Sequence, residues 1–359
     1  MKKSAANSAI NSATRSYSSK ILLFGEYSII LDSMALAIPC RSYSGRLVNG
    51  CGSISINSSS NGSSNSSNNS NGLLKFATYL SDLSVSASSA GTAKHSGLVG
   101  ISQRALSLLQ TDCQNNLRFF SNIPAGYGLG SSGALTAAIW DRYFASFWEQ
   151  SELLELKQVL GQMESFFHGR SSGLDPLISY LDAPILIKSR EQVLSFTDTD
   201  VSFTTQCPEK INFFLIDTGL AKKTGPLVNH FLERYKQTLS NDFKNHCDQG
   251  LIPITNLCIE NFLAGEWLQL RSNFHQLSTW QYQHLAVAIL PEVRSLWKAG
   301  LDSGDFSIKL CGSGGGGMLL GVTSDLSVTK DFFLVNYPQL SLYVVDFSSF
   351  VLDNCYCRS

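Results

Sequence analysis

The stretch that most constrains this chain is Pro124-Ala-Gly-Tyr-Gly-Leu-Gly-Ser-Ser-Gly133. Leu117–Ser121 before it reads as a strand, and Ala134–Trp148 after it reads as a helix. Glycines let backbone N–H groups come close to anionic oxygens. The N-terminus of the following helix adds unpaired N–H donors and the positive end of its dipole. Ser131 and Ser132 offer hydroxyls to a phosphate or to a hard cation such as Mg2+. Three plainer readings compete. Ser132 is a good helix N-cap, the glycines by themselves make a turn, and Gly128, Gly130 and Gly133 spell the GxGxxG of dinucleotide-binding folds. The last requires a strand after the helix and an acidic residue near that strand's end. Here a second long helix, Glu152–Phe167, follows directly, so the dinucleotide reading fails. No lysine follows the glycines, so the loop is not of the Walker type either.

The rest of the chain predicts an α+β architecture. Ile21–Phe24, Tyr27–Leu31, Ala35–Ile38, Arg46–Val48 and Ile185–Ile187 read as strands, and Leu98–Leu109 as a helix. Ile211–Asp217 is an apolar strand bounded by polar residues. The sequence is then mostly helical to Gly300, and returns to strand at Ser307–Leu310, Met318–Val322 and Leu342–Val345. Residues 53–72 are almost entirely Ser, Asn and Gly and cannot bury enough apolar surface to order themselves. They are expected to form a surface insertion. The expected organisation is a disordered tail over 1–17, an N-terminal nucleotide-binding domain over 18–200 and a C-terminal domain over 201–359.

Composition narrows the function classes. Charged residues make up 15% and the net charge is −1, with no basic runs, so a nucleic-acid partner is not expected. The nine cysteines include no CxxC and suit a reduced, cytoplasmic setting rather than a zinc site. No run of about 18 apolar residues is present, so no membrane span is expected.

Two further segments point toward phosphate chemistry. In His168-Gly-Arg-Ser-Ser-Gly-Leu-Asp175-Pro176, Asp175 before Pro176 reads either as a helix N-cap or as a carboxylate that accepts or orients a hydroxyl proton. Glu164 falls within the apolar stripe of Leu153, Leu156, Leu160 and Phe167. A carboxylate facing inward is costly unless paired or bound to a metal. A stripe edge that reaches solvent is the plainer alternative. In Lys309-Leu-Cys-Gly-Ser-Gly-Gly-Gly-Gly317, four consecutive glycines between apolar strands suggest close approach to another backbone or a ligand.

Together these segments resemble the GHMP kinases, whose three signatures occur here in order: Ser19–Tyr27, Ile123–Gly133 and Lys309–Gly317. The resemblance implies a two-domain fold, with an N-terminal half like domain 2 of ribosomal protein S5 and a ferredoxin-like C-terminal half. Within the family the chain looks most like the mevalonate kinase subgroup. That subgroup carries HGxPSGxD where this chain has HGRSSGLD, and Glu164 stands 11 residues before Asp175 as expected for the subgroup's metal carboxylate. The resemblance implies ATP and Mg2+ as cofactors and a small-molecule acceptor, with a homodimer left open. It assigns Asp175 and Lys20 to the reacting hydroxyl and Ser132 and Glu164 to Mg2+. The phosphates fall to Pro124, Gly126, Gly128, Leu129, Gly130, Ser131, Ser132 and Gly133. The acceptor falls to Glu26, Tyr27, Thr224, Gly314 and Gly315. The implied reaction is phosphorylation of mevalonate to 5-phosphomevalonate. The alternatives are phosphomevalonate or another small acceptor, or a ligand-binding member without turnover. Three departures stand out: Tyr27 follows Glu26 where His is usual, as in bacterial phosphomevalonate kinases; Ser19 replaces a Gly; and Ser171 replaces a Pro.

Overall fold

The computed structural model describes residues 15–49, 70–89, 102–148, 152–196, 211–221, 225–237 and 242–356. They form two compact units, each assembled from separate stretches of chain. The first takes the chain up to Ser19, Tyr43–Pro124 and Gly130–Asp182; the second takes Lys20–Ser42, Ala125–Leu129 and Ala183–Ser359. Both units therefore draw on sequence before residue 200.

The first unit is mainly helical: α1 (Ser70–Ser89), α2 (Gln103–Gln114), α3 (Ser131–Ile139), α4 (Leu153–His168) and α5 (Leu174–Leu181). In α1, Leu73, Phe76, Ala77 and Leu80 recur at helical spacing and are buried, and the Phe76 ring lies 5.2 Å from those of both Phe166 and Phe167. From Gly133 to Ile139 every residue of α3 is buried, as expected of a helix apolar on all sides. The helix predicted through Trp148 changes character at Trp140. Trp140–Phe144 winds as a wider π-turn, followed by a 3-10 turn at Ala145–Phe147. The wide turn buries Trp140, Tyr143 and Phe144 while Arg142 and Tyr143 both donate to Asp112, at 2.8 and 2.6 Å. In the same unit the end of β2 (Ala35–Val48) pairs antiparallel with β3 (Arg118–Ser121), in the register Arg46↔Phe120.

Three predictions shift here. The tail expected over 1–17 has structure at its end. Tyr17 opens β1 (Tyr17–Phe24), and both its phenol and Arg15 donate to Asp141, at 2.6 and 3.0 Å. Of the insertion expected over 53–72, residues 70–72 belong to α1, and the rest lies outside the described residues. The helix predicted over Leu98–Leu109 runs instead from Gln103 to Gln114, and residues 90–101 lie outside the described residues.

The second unit is built around an antiparallel sheet in the order β10-β9-β6-β8-β7. Its strands are β6 (Asn212–Asp217), β7 (Phe306–Leu310), β8 (Met318–Thr323), β9 (Ser341–Asp346) and β10 (Val351–Tyr356). The apolar run in β6 is continuous because both faces are covered. Phe213 meets Phe262 of α8 (Ile252–Ala264) at 5.8 Å, while Phe214, on the other face, meets Phe333 of α11 (Leu326–Asn336) at 6.1 Å. The other helices of the unit are α6 (Gly225–Lys236), α7 (Asp242–His246), α9 (Trp267–His284) and α10 (Pro291–Ser303). Strand β10 was not predicted. It closes a hairpin whose turn is held by Asp346, which accepts from the Ser348 N–H and hydroxyl at 2.8 and 2.7 Å and from the Ser349 hydroxyl. Those donors hold the Asp346 carboxyl below the usual carboxylate range.

Also in this unit, Ala35–Ala37 of β2 pair with β4 (Ile185–Ser189), which pairs with β5 (Gln192–Ser195). The two strands predicted at Ala35–Ile38 and Arg46–Val48 are one continuous strand. The strand predicted at Tyr27–Leu31 is a 3-10 turn over Ser28–Leu31. Its aliphatic run suggested extension, but the chain reverses just before it. Gly25 sits at φ 122°, and a Cβ there would lie 2.5 Å from the Ala35 Cβ. Tyr27 follows at φ 63°.

Candidate active site

In the first unit, the start of α3, the C-terminal half of α4 and the start of α5 converge. Ser132 donates its hydroxyl to Glu164 Oε1 at 2.8 Å, and Ser171 donates to Glu164 Oε2. Glu164 is 3% exposed, so the carboxylate in the apolar stripe faces inward and is held by two hydroxyls; the solvent-facing alternative is excluded. Gly133 lies against Asp175. A Cβ on Gly133 would come within 2.7 Å of the Asp175 carbonyl carbon and 2.8 Å of its Cβ. Helix α5 begins at Leu174 behind Gly173, at φ 75°, so Asp175 stands in the first turn and is not the N-cap. Asp175 is half-buried.

In the second unit, β1, residues 125–129 of the glycine loop and the loop after β7 pack backbone to backbone. The Lys20 N–H donates to the Leu129 carbonyl at 3.0 Å. A Cβ on Gly317 would lie 2.5 Å from the Tyr127 Cα, and one on Gly128 would lie 2.5 Å from the Cys311 carbonyl oxygen. The Gly315 N–H donates to the Ala288 carbonyl at 2.6 Å, and Gly314 leaves no room for a side chain against the same carbonyl. The Tyr27 phenol donates to the Ser313 carbonyl at 2.6 Å, and burial pushes its pKa up. Beside Tyr27 is a small cleft walled by Leu227, His230, Phe231 and Arg234 of α6.

Glu26, expected at the acceptor, is 3% exposed and ion-paired with Lys309, which is fully buried. Lys309 also donates to the Leu310 carbonyl at 2.8 Å. Glu26 Oε2 has no hydrogen-bond partner. Burial pushes the Glu26 carboxyl up, and the positive charges of Lys309 and then Lys20 pull it back. Lys20 itself is 5% exposed. Thr224 lies outside the described residues.

Among the described residues, no group of three or more His, Cys, Asp or Glu side chains is placed to hold a metal ion. Ser132 and Glu164 are a different donor set, a hydroxyl and a buried carboxylate. Those hard oxygens fit Mg2+, which takes one or two protein ligands and fills its shell with water and phosphate oxygens. No described helix is long and apolar enough to cross a membrane.

The family model described as the GHMP kinases N-terminal domain matches residues 99–182, the stretch that contains Ser132, Glu164 and Asp175. Solved structures extend the likeness to almost the whole chain. The L. major mevalonate kinase in complex with R-mevalonate matches at TM-score 0.56 and 15% identity, covering 95% of this chain and 96% of that one. The fold is that of the GHMP kinases. The Streptococcus pneumoniae phosphomevalonate kinase in complex with phosphomevalonate and AMPPNP also matches at TM-score 0.56, with 12% identity over 95% of this chain and 98% of that one. The Lactococcus lactis galactokinase complexed with galactose matches at 0.54 and 12%, over 92% and 93%. No curated protein sequence matches. Enzymes with three different acceptors thus share this GHMP kinase fold.

Sequence reasoning passed over two residues that the structure brings forward. Lys309 carried a signal, since a lysine in the apolar strand Phe-Ser-Ile-Lys-Leu needs a buried partner. Ser171 carried only its departure from proline.

Proposed function

We propose that this chain is an ATP-dependent kinase that phosphorylates a hydroxyl of a small acceptor, with mevalonate as the first acceptor to test. The observation that carries the reading is the cluster in the first unit. A hydroxyl at the end of the glycine loop bonds a buried glutamate, and the loop's last glycine lies against the aspartate of HGRSSGLD.

In this reading the backbone N–H groups of the glycine loop and the first turn of α3 bind the nucleotide phosphates. Ser132 and Glu164 would hold Mg2+, which when bound offsets the phosphates' negative charge. Asp175 accepts the proton of the acceptor hydroxyl. A bond forms between that oxygen and the γ-phosphorus, and the bond from the γ-phosphorus to the bridging oxygen breaks, leaving ADP. The resemblance assigns Lys20 to the negative charge that develops on the transferring group. Phosphoryl transfer of this kind depends mainly on positioning and charge stabilisation. Tyr27 favours phosphomevalonate as the second acceptor to test, because Glu-Tyr in the first signature resembles the bacterial phosphomevalonate kinases.

The test is ADP release with mevalonate, phosphomevalonate, homoserine and galactose, using the natural chain and Asp175→Ala. One acceptor should stand out, and the variant should lose at least ~100-fold in kcat while still binding ATP. Silence with all four acceptors would end the reading. Near-normal turnover by the variant would remove Asp175 from the chemistry.

A further inference from the structure

The Ser171 hydroxyl makes two bonds at once. It donates to Glu164 Oε2, and it accepts from the Gly173 N–H at 3.0 Å. The two partners belong to different parts of the cluster. Glu164 is on α4, and Gly173 caps α5, whose first turn carries Asp175. A carboxylate's terminal torsion is soft, with a broad rotamer well. Ser132 donates to Oε1, the opposite oxygen from Ser171. A second donor on Oε2 fixes the carboxylate plane. Gly173 cannot drift to compensate, because a Cβ at this position would sit 1.9 Å from the Lys157 carbonyl oxygen; the backbone there is already in close contact with α4.

We infer that Ser171 is a positioning residue that orients the Glu164 carboxylate for a divalent cation and ties that orientation to the start of the helix bearing Asp175. The inference rests on the proposed kinase reading, in which Glu164 is a metal ligand. It also gives a physical meaning to the one residue of HGRSSGLD that departs from the subgroup pattern: proline at 171 would supply neither bond, since it has no hydroxyl. Partners that orient a ligand are typically worth about 10–100-fold in metal affinity.

The experiment measures Mn2+ binding to the full chain in the presence of AMPPNP, reading free Mn2+ by electron paramagnetic resonance, with no turnover involved. The variants are Ser171→Ala, the size-matched pair Ser171→Thr and Ser171→Val, and Glu164→Gln as the control on the reading. We expect Ser171→Ala and Ser171→Val to bind Mn2+ about tenfold more weakly or worse, and Ser171→Thr to restore binding to within about threefold of the natural chain. A purely structural role would lower the melting temperature of Ala and Val and leave Mn2+ affinity unchanged. If Glu164→Gln weakens Mn2+ while Val and Thr bind it equally, the role of Ser171 is overturned and the metal reading stands. If Glu164→Gln also binds Mn2+ normally, both fall together. If the Ala variant fails to fold, the Thr–Val comparison still decides.

Discussion

Lys309→Met is the sharpest test of the buried ion pair that joins the first and third glycine signatures. Methionine keeps the unbranched stem and removes the charge, so Glu26 stays 3% exposed with no cation on Oε1. Removing one partner of a buried pair costs about 3–5 kcal/mol when the other must remain charged. Glu26 has an escape, which is to take up a proton. Relative to its ordinary value of 4.5, protonation at pH 7 costs about 3.4 kcal/mol, and that sets a ceiling on the electrostatic loss. The ceiling falls by about 1.4 kcal/mol for each pH unit, to about 1.4 kcal/mol at pH 5.5. The direction follows from linkage. A carboxyl whose folded pKa lies above its unfolded one contributes stability that is complete below the unfolded pKa and is lost as pH rises through the folded one. The deficit of the variant should therefore shrink on acidification.

The assay is urea unfolding followed by tryptophan fluorescence at several pH values. Trp297 is a suitable reporter. Its indole N–H donates to Ser278 at 2.9 Å, and Ser278 donates to the Ile308 carbonyl, next to Lys309, at 2.6 Å. The double variant Glu26→Gln with Lys309→Met carries neither charge and should recover most of the loss. A deficit that does not change between pH 5.5 and 8, or a double variant no more stable than the single one, would refute the argument.

Gly133→Ala places a methyl 2.7–2.8 Å from Asp175 and the Pro176 nitrogen, so it should cost about 1–3 kcal/mol by overpacking. The same displacement of Asp175 should lower kcat up to about 100-fold, and a variant with normal kcat and stability would show that this contact does not hold Asp175. The free cysteines Cys40, Cys113, Cys247, Cys258 and Cys311 are buried, and burial pushes the thiols of Cys113 and Cys247 up to about 11 and about 12. At pH 8 no more than about one Cys113 in a thousand is thiolate, so peptide mapping should find both residues unalkylated by iodoacetamide until the chain is unfolded. Rapid alkylation of either in the native chain would contradict their burial.

Much of the candidate site was readable because its residues break local rules. Glu164 stood out as a carboxylate in an apolar stripe, and the glycine loop stood out as flexible sequence where a strand meets a helix. What stayed hidden depends on partners remote in sequence. The Glu26–Lys309 pair joins residues 283 positions apart, and no periodicity within either segment indicates which buried cation meets which buried anion. Ser171 lies only seven residues from Glu164, but its bond crosses the end of α4 and a loop whose path is not set by hydrophobic spacing. The misread strand at Tyr27–Leu31 has a similar cause, since its aliphatic residues favour extension locally while the reversal at Gly25 overrides them.

The glycines of the second and third signatures also differ in what they do. At Gly128 and Gly317 an added methyl would collide with the backbone of another signature, whereas at Gly133 it would collide with the residue proposed as the base. Glycine content in the first two cases lets separate loops pack at backbone distance, and in the third it leaves room for a functional side chain's own backbone. Substitutions at Gly128 or Gly317 should therefore disturb the arrangement of several loops at once. Substitution at Gly133 should act on the Asp175–Pro176 segment alone, so its overpacking stays local to the proposed base.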